Sequence, residues 1–268
     1  MRTSVIGAAL TVFMCALVVG CVDCTLSAGE TRVRGSGRVV EVERGISGVT
    51  GVELATFGSL KIEFGEKEKL VIEAEDNLIE FILTDIRGGI LEIETQRRVS
   101  LKPQKKVRYF LTVKDLESIR ISSSGDIFAP HVDAGEFEIR SSSSGDLVMK
   151  GIDAKSVAIT MSSSGDVDLG AIDTRELDVG ISSSGDLSIE GGEARLQNIH
   201  LSSSGDYIAG SVISRNAHVS ISSSGDAHIH VDDSLNASLS SSGSLYYSGD
   251  PSLSVSTSSS GRVRRVGH

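Results

Sequence analysis

The tetrad Ser-Ser-Ser-Gly begins at Ser122, Ser142, Ser162, Ser182, Ser202, Ser222, Ser240 and Ser258, at a spacing of 20 five times and then of 18 twice. Copies at so strict an interval mark a repeat protein, because a unit this short cannot bury its own apolar side and must stack on its neighbours. Within each period apolar residues alternate, as in Ile119 and Ile121 before the tetrad and Ile127 and Ala129 after it. That period of two is the signature of half-buried strands. Aligned by period, the columns stay apolar: Ile119, Ile139, Ile159, Val179, Ile199 and Val219 in one, and Ile127, Leu147, Val167, Leu187, Tyr207, Ala227, Leu245 and Val263 in another. The expected fold class is all-β, a parallel β-helix or β-solenoid of 20-residue coils. Each residue should sit about 4.8 Å above its counterpart one period earlier, and the coil should be right-handed, as parallel crossovers are.

The repeat reaches further back than the serines do. The stretch Val52-Glu53-Leu54-Ala55-Thr56-Phe57-Gly58-Ser59-Leu60 superposes in type on Ile119 to Ile127 and reads as a worn copy of the same turn. Residues 29 to 117 carry 15 basic and 16 acidic residues, little Ser, and alternating runs such as Leu60-Lys61-Ile62-Glu63-Phe64. This segment is expected to form irregular first coils that cap the open end of the rod, since a bare solenoid end exposes core and strand edge. At the other end Arg262, Arg264 and Arg265 form either a charged cap or a polar tail.

Arg2 is followed by an uncharged apolar run from Val5 to Gly20. It has the length of a signal-peptide core and falls short of the roughly 20 residues of a membrane span. The run closes on Val18-Val19-Gly20-Cys21, which resembles the lipobox of bacterial lipoproteins, with Cys21 as the lipidated residue. The expected organisation is a signal peptide over 1–20, a tether over 21–34, irregular β coils over 35–118, and regular repeats with a C-terminal cap over 119–268. With Cys15 in the leader and Cys24 alone in the tether, neither a disulfide framework nor a cysteine metal site follows.

The net charge of −10 argues against nucleic acid as a partner. Two charge columns stand out. Asp153, Asp173 and Glu193 lie two residues before Lys155, Arg175 and Arg195, with Arg215 continuing the basic column, so opposite charges are expected to run side by side. Asp126, Asp146, Asp166, Asp186, Asp206 and Asp226 form an acidic row with no basic companion. Carboxylates one rung apart repel by about 1 kcal/mol even in water-like surroundings, so something must offset the row. Hydrogen bonds from turn N–H groups would do so; a row of Ca²⁺ sites is the other reading, since hard cations take several carboxylate oxygens.

The tetrad glycines are expected to supply a turn with positive φ and the serines to form hydroxyl ladders. Repeated serines are what a structural corner produces, not a nucleophile. His228 and His230 flank Ile229 and are expected to point outward on one face near Asp232 and Asp233, as a transition-metal pair would.

Gly35-Ser36-Gly37 before Val39-Val40, Gly51-Val52-Glu53-Leu54, Glu73-Ala74-Glu75-Asp76-Asn77-Leu78, the run Val99 to Pro103 leading to Val107-Arg108-Tyr109, and the recurring Ser-Gly-Asp turns together resemble the head-GIN domain family of bacterial exported proteins and lipoproteins. Its members carry the label "putative autotransporter adhesin". The resemblance implies a right-handed β-helix at the cell surface or in the periplasm, with no catalytic residue to carry over and no cofactor. The function it points to is a non-enzymatic, envelope-anchored rod that meets a glycan, a cation or an envelope protein. The alternative is a polysaccharide-active β-helix lyase or hydrolase, a class that builds its groove from long loops for which a 20-residue coil has no room.

Overall fold

The computed structural model describes residues 30–258 and 260–267. They form a β-solenoid in which the long strands stack in parallel at the register of the repeat. Nine short strands precede the repeats: β1 (Thr31–Arg34), β2 (Val39–Gly45), β3 (Gly51–Ala55), β4 (Ser59–Phe64), β5 (Lys69–Glu75), β6 (Ile82–Arg87), β7 (Ile90–Thr95), β8 (Val99–Lys102) and β9 (Arg108–Val113). β10 (Ser118–Ile121) opens the regular part, followed by β11 (Asp126–Ser141), β12 (Leu147–Met161), β13 (Val167–Ile181), β14 (Leu187–Leu201) and β15 (Tyr207–Ile221). β16 (Ala227–Leu239), β17 (Ser244–Ser248), β18 (Ser252–Thr257) and β19 (Arg262–Arg265) close the rod. Among the described residues the one helical element is a single turn at Ile79–Phe81, and no helix is long and apolar enough to cross a membrane.

The predicted columns are physical ones. Ile119 pairs with Ile139 and Ile139 with Ile159; Ile127 pairs with Leu147, and Leu147 with Val167. Every member of both columns from Ile119 to Leu245 is buried. Along β13 the alternation slips at Gly170-Ala171 and again at Arg175-Glu176, so each long strand bends twice between tetrads and encloses the core from three sides. A polar pair interrupts that core where Tyr207 donates to Gln197 Oε1 at 2.7 Å. The next coil sets small residues on the pair, Ala227 on Tyr207 and Ala217 on Gln197. Burial pushes the Tyr207 phenol well above the ordinary value.

The worn turn takes the place its sequence suggests. Val52 pairs with Ile119, Leu54 with Ile121, and Leu60 with Ile127. The path before it is not a simple spiral, however. β7 and β9, later in sequence, pack in parallel on the far side of β3 and β4, while β2 with β5, β5 with β9 and β6 with β7 pair antiparallel. Antiparallel strands end a parallel stack because they give its last edge a partner without starting another coil. A polar knot ties this end together. The buried Glu75 carboxylate accepts backbone N–H groups of Gly37 at 2.6 Å and Gln104 at 2.8 Å, and Asp76 and Asn77 bind Ser36.

Candidate functional site

The tetrad corner is built from contacts between copies. Asp146 N–H donates to Asp126 Oδ1 at 3.2 Å, and the same bond recurs upward from Asp166, Asp186, Asp206 and Asp226 at 2.9, 2.9, 2.8 and 2.7 Å. Ser244 N–H ends the series on Asp226 Oδ1 at 2.7 Å. Each carboxylate thus supplies the acceptor that the next coil's backbone lacks at the corner, and charge-assisted bonds of this kind offset the repulsion along the row. The serines fill the same role from the other side. Ser142 and Ser182 donate to Ile121 O and Met161 O at 3.3 Å, and the hydroxyls of Ser163 and Ser223 reach the carbonyls of Ser143 and Ser203.

The glycine expectation needs correction. No tetrad glycine has positive φ. Their need is room: a Cβ on Gly145, Gly165, Gly185, Gly205 or Gly225 would lie 2.1–2.2 Å from the carbonyl oxygen of the glycine one coil below. Glycine stacks on glycine because only there can two backbones approach so closely.

The outer surface is varied where the corner is uniform. One outward column runs Phe128, Val148, Asp168, Ser188, Ile208 and His228, exposed but for the half-buried Ser188, with the His228 ring stacked on Tyr246 at 4.6 Å. A groove of about 650 Å³ opens between Phe128, Val148, Lys150, Asp168 and Glu190. Partial burial, with Asp166, Asp146 and Glu190 close by, lifts the Asp168 carboxyl above its ordinary value. The exposed apolar members of this column were not singled out from sequence, because an alternating strand gives its outward positions no signal beyond their spacing.

The second charge pattern departs from expectation in detail. The columns run side by side at the Arg175-Glu176 bend, yet among the described residues no ion pair within 4.0 Å joins Asp153, Asp173 or Glu193 to the basic column. Asp153 instead meets His131 at 3.3 Å.

His228 and His230 do not share an outward face. The coil shortens here from 20 residues to 18, and the pairing jumps from Ala209 with Ile229 to Ile213 with His230. The jump turns the His230 side chain inward, 11% exposed, between Ser248 Oγ at 2.9 Å and Asp232 Oδ1 at 3.0 Å. Ser-His-Asp chemistry requires an open hydroxyl with the carboxylate buried behind the imidazole. Here Ser248 is 6% exposed and the Asp232 side chain 51%, the reverse order. Among the described residues no three His, Cys, Asp or Glu side chains converge to hold a metal ion. Cys21, the signal segment and most of the tether lie outside the described residues.

Comparison with known proteins bears on fold and family. Residues 49–171 and 150–251 each match the family described as "Putative auto-transporter adhesin, head GIN domain". Three solved structures share the fold. One, described as a putative lipid binding protein from Parabacteroides distasonis, is 22% identical with a TM-score of 0.81; a putative adhesin from Parabacteroides merdae is 20% identical with a TM-score of 0.82. Each alignment covers 88% of this chain and 100% of the other. A putative adhesin from Bacteroides fragilis is 20% identical over 87% of this chain and 100% of its own, with a TM-score of 0.65. No curated protein matches.

Proposed function

The chain belongs to the head GIN domain family, and from that premise we propose that it is a non-enzymatic β-solenoid rod, held at the bacterial envelope through a lipid on Cys21, whose outward columns bind a surface ligand. Glycan, cation and envelope protein are the ligand classes such a surface suits. The observation that carries the reading is the division of labour in each coil. Corner residues are consumed by contacts with their own copies, while outward residues such as Phe128, Val148, Asp168 and Ile208 are exposed or open to grooves and serve no packing role. Families and folds carry many functions, so the columns and not the fold name must bear the argument. Export is supported by the apolar run before residue 21 and by the family's label, and lipidation by Val18-Val19-Gly20-Cys21 alone.

The test is a glycan array probed with the full chain, run beside a polysaccharide-turnover screen. Binding to an array class without loss of polymer length is the expected result. Turnover abolished by one substitution, such as Asp168→Asn, overturns the reading in favour of an enzyme. Metabolic labelling with a fatty-acid analogue should mark the wild-type chain and not Cys21→Ser.

A further inference from the structure

The Asp, Gly and Ser columns are uniform because each copy touches the next. A fourth column is uniform without that reason. Lys155, Arg175, Arg195 and Arg215 occupy successive rungs, flanked by the registered positions Ala154, Thr174, Ala194 and Ser214 on one side and Ser156, Glu176, Leu196 and Asn216 on the other. All four are exposed. Among the described residues none of them makes an ion pair within 4.0 Å or a side-chain hydrogen bond, whereas Arg120 and Arg140 share Glu138. The flanking column has diversified to Ser, Glu, Leu and Asn, so the coil itself does not impose the basic residues.

Four like charges one rung apart, about 4.8 Å, repel one another, and no ion pair within 4.0 Å to the acidic column relieves them. We propose that this column, with Asp153, Asp173 and Glu193 beside it, is a linear site for an acidic polysaccharide of the polyuronate class laid along the solenoid axis. The inference rests on the surface-binding reading above and names its ligand. A groove of about 540 Å³ runs past Asp173, Glu193, Arg195 and Arg215, and adjoins one of about 350 Å³ beside Asp153, Lys155 and Arg175. Together they make a track along consecutive coils.

The pairing of columns selects the polymer. Guanidinium groups take carboxylates in a two-pronged fit, and the neighbouring Asp and Glu accept hydroxyl hydrogens from the same chain. A polyuronate offers both groups on every sugar, and an extended 1,4-linked chain advances per sugar by a distance close to one rung. Duplex nucleic acid, with a charge every ~1.7 Å, offers few hydroxyls, and its denser charge is repelled by the acidic column more strongly than one carboxylate per sugar.

The test is affinity electrophoresis and calorimetry of the full chain with polygalacturonate, its fully methyl-esterified form and duplex DNA, over a range of salt. Polygalacturonate should bind and weaken with salt, with the ester and DNA at least about tenfold weaker. Arg175→Gln, Arg195→Gln and Arg215→Gln together should weaken it by about tenfold or more, the sum of several exposed ion pairs, with the melting temperature unchanged. Asp173→Asn with Glu193→Gln should narrow the gap between DNA and polygalacturonate. Binding by the triple variant within about twofold of wild type, or DNA held as tightly as polygalacturonate, overturns the inference. A wild-type chain that binds a neutral glycan and ignores polygalacturonate also overturns it and leaves the surface-binding reading intact; a chain that binds no surface ligand fails both.

Discussion

Asp186 sits in the middle of the acidic row, its own N–H on Asp166 Oδ1 at 2.9 Å and its Oδ1 on Asp206 N–H at 2.8 Å. Two substitutions separate its charge from its acceptor. Asn keeps an oxygen for the Asp206 N–H and removes the repulsion from carboxylates above and below, about 1 kcal/mol each at one rung in water-like surroundings before screening. Ala removes both, and a half-buried N–H that loses a charged acceptor costs about 1–3 kcal/mol. Asp186→Asn also exchanges a charge-assisted bond for a neutral one. It is therefore expected to stay within about 1 kcal/mol of wild type at low salt and to fall slightly below it in molar salt, where the repulsion is screened. Asp186→Ala should lie about 1–2 kcal/mol below Asn in both. Urea unfolding followed by circular dichroism measures both, provided the m-value stays constant so that the rod unfolds as one unit. Equal destabilisation by Asn and Ala would refute the ladder account, since the oxygen alone would then not suffice. A melting midpoint raised by millimolar Ca²⁺ in wild type, and not in Asp186→Asn, would assign the charge to a bound cation instead.

Gly165→Ala drives a Cβ to 2.2 Å from Gly145 O and 2.9 Å from its carbonyl carbon, backbone atoms that cannot yield, so a loss of about 3 kcal/mol or more is expected by urea midpoint. Gly180→Ala, whose Cβ meets nothing within 4 Å, should stay within about 0.5 kcal/mol of wild type. Burial alone would raise the Glu75 carboxyl, but N–H bonds from Gln104, Gly37 and Lys105 hold it below the usual range. Its contribution is thus present above the unfolded value of about 4.3 and lost as pH falls through the folded one. Glu75→Gln turns an amide donor toward N–H donors and should cost about 2–4 kcal/mol at neutral pH, with less loss of stability on acidification than wild type shows.

The regular coils were legible because the repeat itself reports the register. Once Ile139 and Ile159 are known to stack, alternation on either side of the tetrad assigns the inward columns from Ile119 and from Ile127, though not the positions past each bend. The worn turn at Val52 to Leu60 was legible for the same reason. What escaped was set by contacts that periodicity does not encode. The closeness of Gly165 to Gly145 depends on coil geometry, and a glycine needed for space looks in sequence like one needed for positive φ. The inward turn of His230 follows from a three-residue deletion between Ala209 and Ile213, offset by one extra residue opposite Arg215, and the sequence shows only the net loss of two. The reordered first coils escaped because β7 and β9 precede the repeats in sequence yet lie outside β3 and β4 in space.

The two kinds of uniform column have opposite mutational logic. A corner residue such as Asp186 touches copies of itself above and below, so a change in one coil is felt in two others, and identity along the column follows from packing alone. Such a column is poor at discriminating ligands, because any departure that sharpened binding would weaken the stack. Outward residues carry no such constraint, and the row from Phe128 through Asp168 to His228 shows how freely they change. Lys155, Arg175, Arg195 and Arg215 have the freedom of the outward class and the uniformity of the corner class. The extended ligand proposed above would reconcile the two, because it acts at each of four rungs in turn. A compact ligand would engage one or two rungs and leave the rest to drift.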